Sequence, residues 1–218
     1  MRKHPAIPWI LPFLVFMAVL ALQSVFAIPA WVRFVLPSAA ILAVSLPLLK
    51  GSPSKPLMSI GIGIAVFLIW VGPDFLIPSW HHAFLFDNGI VGHPSANTPP
   101  ASKNDPWFLL VRIAISMIAV PVLEELFWRG WLMRWLIDGN DFQRVALGTY
   151  APAAFWLTAL LFASEHGSYW DVGLAAGIIY NWWMIRTRNL WDCIIAHAVT
   201  NGILAAYVVL AGQWQYWL

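Results

Sequence analysis

An all-α, polytopic transmembrane helical bundle of about seven spans is the fold class that the sequence predicts. The first reason is composition: 61% of the 218 residues are hydrophobic and 10% are charged. Soluble globular domains carry about 25% charged residues, so this chain has too few charges to cover a water-facing surface. The second reason is that apolar stretches near the spanning length of about 20 residues recur along the chain. Membrane lipid is therefore the expected surrounding of most of the molecule.

The spans are predicted from seven apolar stretches. They cover residues 8–30, 34–49, 57–77, 107–130, 150–167, 172–186 and 189–211. The second and sixth are short, so the sequence by itself allows six to eight spans. The first is longer than the apolar core of a signal peptide, which has about 7–15 residues, and we expect it to be a retained span.

Turn-forming residues dominate residues 78–106, which predicts a loop between the third and fourth spans. Residues 1–106 then hold three spans and this loop, and residues 107–218 hold the remaining four. We expect the two parts to form one structural unit. The loop histidines His81, His82 and His93 are predicted to be solvated rather than to bind a metal.

Positive charges predict the orientation, because Lys and Arg are enriched in cytoplasmic loops. A cytoplasmic N-terminus leaves Arg33 and Lys103 in loops on the other side. The residues that then fall on the cytoplasmic side are Arg2, Lys3, Lys50, Lys55, Arg134, Arg144, Arg186 and Arg188. The net charge of +2 is small and forms no dense cluster, so nucleic acid is not an expected partner.

Ionisable residues inside the apolar stretches are the main functional signal. A charge at the centre of a spanning helix costs about 2.5–3.5 kcal/mol on insertion scales, so such residues usually serve a function. Span four carries Glu124, Glu125 and Arg129. Glu125 and Arg129 are four residues apart and can pair, whereas Glu124 points about 100° away and lacks a helical partner. An unpaired buried carboxylate is suited to general base catalysis near neutral pH.

Two further spans carry polar groups at helical spacing. Phe162 and His166 share a face at the end of span five, where Glu165 is interpreted as a residue in the headgroup region. Cys193, His197 and Asn201 form one stripe in span seven. Helix rise places the polar groups of spans four, five and seven in roughly one buried layer.

The three motifs together resemble the type II CAAX prenyl endopeptidase and bacteriocin-processing family, also called CPBP or Abi. The motifs are Glu124-Glu125-x-x-x-Arg129, Phe162-x-x-x-His166 and His197-x-x-x-Asn201. The resemblance covers about residues 105–211 and makes residues 107–218 the expected catalytic core. Trp128 stands where many relatives have Phe, which is a conservative change. Length and Trp content also suit a subgroup that accompanies exosortase sorting machinery.

The resemblance implies an intramembrane endopeptidase of a bacterial inner membrane that cuts a membrane-associated peptide or protein. Glu124 would deprotonate a water with help from His166, and His197 and Asn201 would stabilise the oxyanion. Glu125 and Arg129 would support the site. The family is described both as metal-dependent and as using glutamate and histidine alone. Glu124, His166 and His197 are the three residues that would hold a zinc ion, and we favour the mechanism without a tightly held metal.

Three other interpretations remain open from the sequence. Cys193 and His197 share a face, which permits a thiol peptidase or acyl transferase. Buried Glu and His residues also relay protons in transporters, although the chain has no internal repeat typical of these. A third interpretation is a scaffold or immunity protein that keeps the fold without catalysis.

Overall fold

The computed structural model describes residues 4–23, 25–94 and 100–217. Within these residues the chain forms seven long helices and no β-strand beyond one isolated bridge. The helices are α1 (Ile7–Gln23), α2 (Ala30–Leu49), α3 (Pro56–Leu76), α4 (Pro106–Trp135), α5 (Pro152–Ser164), α6 (Trp170–Thr187) and α7 (Leu190–Ala211). They correspond in order to the seven predicted stretches, which confirms the helical membrane bundle.

Four of these helices, α2, α3, α4 and α7, are long and apolar enough to cross a membrane by length and composition. Helices α1 and α5 are apolar but shorter. Large apolar side chains along the bundle exterior are exposed, such as Leu57 at 83% and Leu210 at 85%. A lipid environment explains this exposure, since lipid accepts apolar surface without the cost that water imposes. The number of spans stays a prediction, as does the orientation, and Arg2 and Lys3 lie outside the described residues.

A side-chain cap starts helix α4. The carboxylate of Asp105 accepts hydrogen bonds from the backbone N–H groups of Trp107 and Phe108, at 3.0 and 3.3 Å. Pro106 occupies the first helical position, where its missing N–H costs nothing. Asn189 serves the start of α7 in the same way by accepting from Trp191 N–H at 2.9 Å.

Helix α4 is not a regular α-helix, in contrast to the regular geometry that the spacing arguments assume. It widens into π-helical turns over Ile115–Ala119 and Leu126–Leu132. Pro121 follows the first π-helical segment, and a proline inside a helix leaves a carbonyl of the preceding turn without its donor. The residues Val120–Glu125 between the two segments remain α-helical. The two buried glutamates therefore lie at the end of a short regular stretch between two wide turns.

Glycines allow helices to approach each other closely around the centre of the bundle. A Cβ at Gly63 of α3 would lie 2.4 Å from the Ala196 carbonyl oxygen of α7. A Cβ at Gly130 of α4 would lie 2.5 Å from the ring of Trp9 in α1. Small residues at such crossings are the usual means of packing helices within a membrane.

The loops meet at two opposite ends of the bundle. At one end the turn before α3 contacts the start of α7, where Lys55 N–H donates to Asp192 at 2.9 Å and Asn189 donates to the Ser52 carbonyl at 3.0 Å. At the other end the residues after α3 pack on the start of α6 and on the segment after α7. We call this second region the loop end. Residues 95–99 of the predicted 78–106 loop lie outside the described residues.

Candidate active site

Arg129 is at the centre of a buried polar cluster between α4 and α6. Its guanidinium is completely buried and makes three hydrogen bonds, to Glu125 Oε1 at 3.0 Å, Asn181 Oδ1 at 2.9 Å and the Gly177 carbonyl at 3.3 Å. Asn181 in turn donates to the Phe155 carbonyl at 2.8 Å. A buried charge is tolerated only when it is paired and hydrogen-bonded, and this guanidinium meets both conditions.

The predicted pairing of Glu125 with Arg129 is thus present, and it extends further than helix spacing indicates. Asn181 was not among the predicted site residues. The signal that could have found it is a single amide in the otherwise apolar centre of α6, since buried amides need partners. Its position makes α6 part of the same cluster.

His197 of α7 joins this cluster through Glu125. Its Nδ1 lies 2.9 Å from Glu125 Oε1, and its ring stacks on Tyr180 with centroids 5.1 Å apart. Tyr180 donates to Thr200 at 2.7 Å, and Thr200 donates to the Gly63 carbonyl at 2.9 Å. A carboxylate accepts but cannot donate, so Nδ1 carries the hydrogen and Nε2 is the nitrogen left for other interactions. We call Glu125, Arg129, Asn181 and His197 the central cluster.

Asn201 and Cys193 lie one turn to either side of His197. The Asn201 amide donates to the Ser116 carbonyl at 2.8 Å, which leaves one of its two N–H groups for another acceptor. Cys193 is fully buried and its thiol lies 3.7 Å from the Tyr180 carbonyl oxygen. Buried cysteines of this kind behave mostly as small apolar residues, so the thiol interpretation gains no support from its surroundings.

Glu124 differs from its neighbour Glu125 in its contacts. Its side chain is 8% exposed, and its Oε2 atom is buried without a hydrogen-bond partner among the described residues. No hydrogen bond joins it to His166 within that part of the chain. The structure therefore agrees with the prediction that Glu124 lacks a helical partner. It leaves a buried carboxylate oxygen free to bind a water or a substrate N–H.

His166 comes just after α5 rather than inside it. Its Nδ1 lies 2.8 Å from the Phe162 carbonyl, so Nδ1 carries the hydrogen and Nε2 keeps its lone pair. The ring packs against Phe162 and Trp70, with centroids 4.8 and 5.1 Å away. A Cβ at Gly173 would lie 3.0 Å from Nδ1, so any larger residue there would crowd the ring. Glu165, beside it, is exposed at the end of α5.

Phe162 brings the separate motifs together. The Arg129 guanidinium lies over its ring at 4.6 Å from the centroid, and the rings of His166 and His197 lie 4.8 and 6.1 Å away. The side chain is 1% exposed. One buried aromatic ring therefore contacts a residue from each of the three predicted motifs. This contact is the tertiary basis of the single polar layer that the sequence predicts.

Three of the predicted site residues carry donor atoms that suit a metal ion. Glu124, His166 and His197 offer a carboxylate and two imidazole nitrogens, which is a chemically suitable set for zinc. Among the described residues, however, no group of three or more His, Cys, Asp or Glu side chains is arranged to hold a metal ion. The three side chains in this arrangement thus do not form a ligand set.

A second buried histidine was missed by the sequence reasoning. His81 was predicted to be a solvated loop residue, and this is wrong, because it is 1% exposed. Its Nδ1 lies 2.8 Å from Asp74 and its Nε2 lies 3.0 Å from Asp171. Tyr216 donates to the other oxygen of Asp74 at 2.9 Å, and Trp80 donates to Asp171 at 2.9 Å. We call Asp74, His81, Asp171 and Tyr216 the loop-end cluster.

The other two loop histidines are exposed as predicted. The side chains of His82 and His93 are 63% and 68% exposed, and both lie near Asp87. His81 differs from His82 and His93 because its partners are two aspartates that lie outside the loop sequence around it. Asp74 and Asp171 are aspartates at the ends of apolar helices, and each needs a partner there.

The comparisons with known proteins give one family. Residues 106–203 match the model of the family described as Rce1-like, type II CAAX prenyl endopeptidase. No curated protein and no solved structure shows a significant match to the chain. The matched residues run from the start of α4 to two residues beyond Asn201, and so contain all three motifs.

Proposed function

We propose that this chain, whose residues 106–203 match the Rce1-like family of type II CAAX prenyl endopeptidases, cuts a peptide bond within the membrane with a water activated by Glu124. The family makes the protein a multi-pass membrane protease. The observation that supports the choice of residue is the difference between the two buried carboxylates. Both have an Oε2 without a hydrogen-bond partner among the described residues, but Glu125 is held through Oε1 by Arg129 and His197, whereas Glu124 is held by neither.

Glu124 acts as the general base in this proposal. Its carboxylate takes a proton from a water molecule while the water oxygen forms a bond to the carbonyl carbon of the scissile peptide. The carbonyl oxygen becomes an oxyanion. Glu124 then returns the proton to the amide nitrogen as the carbon–nitrogen bond breaks, which gives a new carboxyl and a new amino terminus. General acid–base catalysis of this kind contributes about 10²–10⁴-fold to the rate.

His166 positions the water. Because Nδ1 carries the hydrogen bonded to the Phe162 carbonyl, Nε2 has a lone pair that accepts a hydrogen from the water. The ring is wedged between Phe162 and Trp70, and Gly173 lies against it. This packing fixes the direction of the lone pair before substrate arrives, which is what proximity effects require.

His197 and Asn201 stabilise the oxyanion. Asn201 has one amide N–H beyond its bond to Ser116, and His197 offers Nε2–H when its ring is the imidazolium. The Glu125 carboxylate holds Nδ1 and so fixes the direction in which Nε2 points. Removal of one oxyanion donor typically lowers the rate by about 10²–10³-fold. Arg129 orients Glu125 and so positions the histidine without touching the substrate.

The orientation in the membrane and the class of substrate follow from charge distribution and fold. The distribution of Lys and Arg supports an N-terminus in the cytoplasm of a bacterial inner membrane, with the loop end on the opposite side. The substrate is a membrane-associated or C-terminal peptide segment, because the described chain folds as one bundle without a separate recognition domain. A protein of a sorting machinery is the partner class suggested by the subgroup resemblance.

The experiment is cleavage of a membrane-peptide library by the purified protein in detergent, followed by mass spectrometry. Glu124→Gln keeps the size of the side chain and removes the base, so products should fall by at least about 10²-fold. Asp141→Asn is the control, since it changes a carboxylate that pairs with Arg144 at the surface, away from the three motifs. A chelator added to each sample tests for metal dependence.

Equal products from wild type and Glu124→Gln would overturn the proposal. A folded wild type that cuts nothing in the library would favour the scaffold or immunity interpretation. Uphill, pH-dependent uptake into liposomes that contain only this protein would instead support a proton-coupled transporter.

A further inference from the structure

A cavity of about 480 Å³ opens at the loop end of the bundle, beside the loop-end cluster. Three tyrosine rings form one wall, with Tyr169 and Tyr216 centroids 5.5 Å apart and Tyr207 and Tyr216 centroids 6.1 Å apart. Asp74, His81 and Gln213 also line it. We propose that this cavity binds the basic side chain of a lysine or arginine in the substrate peptide, a few residues from the bond that is cut. This inference rests on the proposed function and names a substrate feature.

The lining has the chemistry that binds an organic cation. Aromatic faces attract ammonium and guanidinium groups, and a neighbouring carboxylate adds a charged acceptor. Asp74 already accepts from His81 and Tyr216, but a carboxylate has about four acceptor positions, so it can accept from a further donor. The Tyr169 side chain is 1% exposed, and within the described residues its hydroxyl makes no hydrogen bond.

The balance of charge favours a cation over an anion. His81 lies between Asp74, which lines the cavity, and Asp171, which lies behind it, so even a protonated ring faces two negative charges. His82, the other histidine of the lining, lies 3.7 Å from Asp87. A substrate carboxylate or phosphate would meet no unmatched positive charge in the described lining. A zwitterionic lipid headgroup is disfavoured for the same reason, since its phosphate would accompany its ammonium group.

The distance to the candidate active site fits a peptide substrate. Trp70, whose ring is 5.1 Å from that of His166, precedes Asp74 by one turn of α3. One helical turn advances about 5.4 Å, which is under two residues of an extended peptide at about 3.3 Å each. Tyr169 follows His166 by three residues and donates its backbone N–H to the His166 carbonyl at 2.9 Å. A basic residue two or three positions from the scissile bond therefore reaches the cavity.

The test measures binding with protein that cannot cut. Glu124→Gln protein in nanodiscs of phosphatidylglycerol is mixed with fluorescent peptides that carry one apolar segment. The peptides differ at each of four flanking positions on either side, where they have Lys, its neutral counterpart norleucine, or Glu. We expect the lysine peptide at one or two adjacent positions to bind about tenfold more tightly than its norleucine counterpart, in line with a desolvated cation–π contact.

Two added substitutions test where the preference arises. Tyr207→Leu removes a ring and Asp74→Asn removes a charge, and each should reduce the preference for lysine to less than about threefold. Tyr207→Phe keeps the ring and should keep the preference. Tyr150→Leu is the matched control, because Tyr150 is exposed and far from the lining in sequence. If Asp74→Asn fails to fold, the two Tyr207 variants decide alone.

Equal binding of lysine and norleucine peptides, or no binding of either, would overturn the inference. So would a lysine preference that survives both Tyr207→Leu and Asp74→Asn. Nanodiscs with phosphatidylethanolamine test whether the ammonium group that binds comes from a lipid. Strong competition of that lipid with the lysine peptide would assign the cavity to a lipid headgroup instead. A lysine preference in protein whose wild type cuts nothing would keep the cavity as a site for a basic side chain and would overturn the proposed function, together with the position of that side chain relative to a scissile bond.

Discussion

The central and loop-end clusters each contain a buried histidine held by a carboxylate, yet they differ in what the histidine has left to offer. His81 uses both ring nitrogens on Asp74 and Asp171. His197 uses one nitrogen on Glu125, and no hydrogen bond within the described residues reaches its Nε2. A ring with both nitrogens bound can only join elements, whereas a ring with one nitrogen free can also act on a substrate. The comparison indicates that His81 joins structural elements at the loop end, whereas His197 in the central cluster is able to act on a substrate.

The largest expected effect that separates the two clusters comes from exchanging each histidine for asparagine. His197→Asn retains an amide near the Nδ1 position and removes the Nε2 group. Cleavage should fall by about 10²–10³-fold while the unfolding midpoint changes little. His81→Asn should lower the midpoint and alter cleavage much less. Library cleavage and thermal unfolding of both variants check this, and the reverse pattern would contradict the assignment of roles.

Breaking the ion pair in the central cluster is the next largest effect. Arg129→Met removes three hydrogen bonds and leaves Glu125 buried without its cation. Loss of one partner of a buried pair typically costs about 3–5 kcal/mol, so the variant should unfold at much lower temperature or fail to accumulate. Arg144→Met is the control, because its pair with Asp141 is exposed and contributes little. Similar unfolding of the two variants would argue against Arg129 as the centre of the cluster.

The third prediction concerns the close crossing of α3 and α7 at Gly63. Gly63→Ala places a Cβ where it would meet the Ala196 carbonyl at 2.4 Å, so α3 and α7 must move apart. Overpacking of this kind costs about 1–3 kcal/mol. Gly61→Ala is the matched control, because a Cβ there meets nothing within 4 Å. Thermal unfolding of the two alanine variants should differ clearly, and equal midpoints would show that the crossing is looser than described.

The smallest effect concerns how the stabilisation contributed by His81 depends on pH. Burial opposes charge on His81, but hydrogen bonds and charges from Asp171 and Asp74 outweigh it and raise the pKa of His81 above its usual value. A raised pKa in the folded state means that the stabilisation is complete below the unfolded value of about 6.5. This stabilisation is lost as the pH rises through the pKa of His81 in the folded state.

Unfolding midpoints of wild type and His81→Gln, compared between about pH 5.5 and 9, test this sign. The advantage of wild type should shrink as the pH rises. A wild-type advantage that stays constant or grows with pH would mean that His81 is not held as the imidazolium.

Sequence spacing predicted the contacts that lie within one helix. Glu125 and Arg129 pair because residues four apart share a helical face, and the same spacing brings His166, just beyond the end of α5, against Phe162. It did not predict the π-helical turns of α4 around these glutamates, since they depend on how the helix packs with its neighbours as well as on Pro121. The roles of Glu124, His166, His197 and Asn201 in catalysis stay predictions from the family resemblance.

By itself, the sequence determined the class of the molecule, the order of its helices and the three motifs, because composition and helical periodicity are local properties of the chain. Only the tertiary structure decided which polar groups became partners. His197 binds Glu125 from another helix, Asn181 completes the contacts of Arg129, and His81 is enclosed by two aspartates that lie 97 positions apart in the chain. The physical reason is that a buried polar group must find a partner, and in a helical bundle that partner usually comes from a different helix.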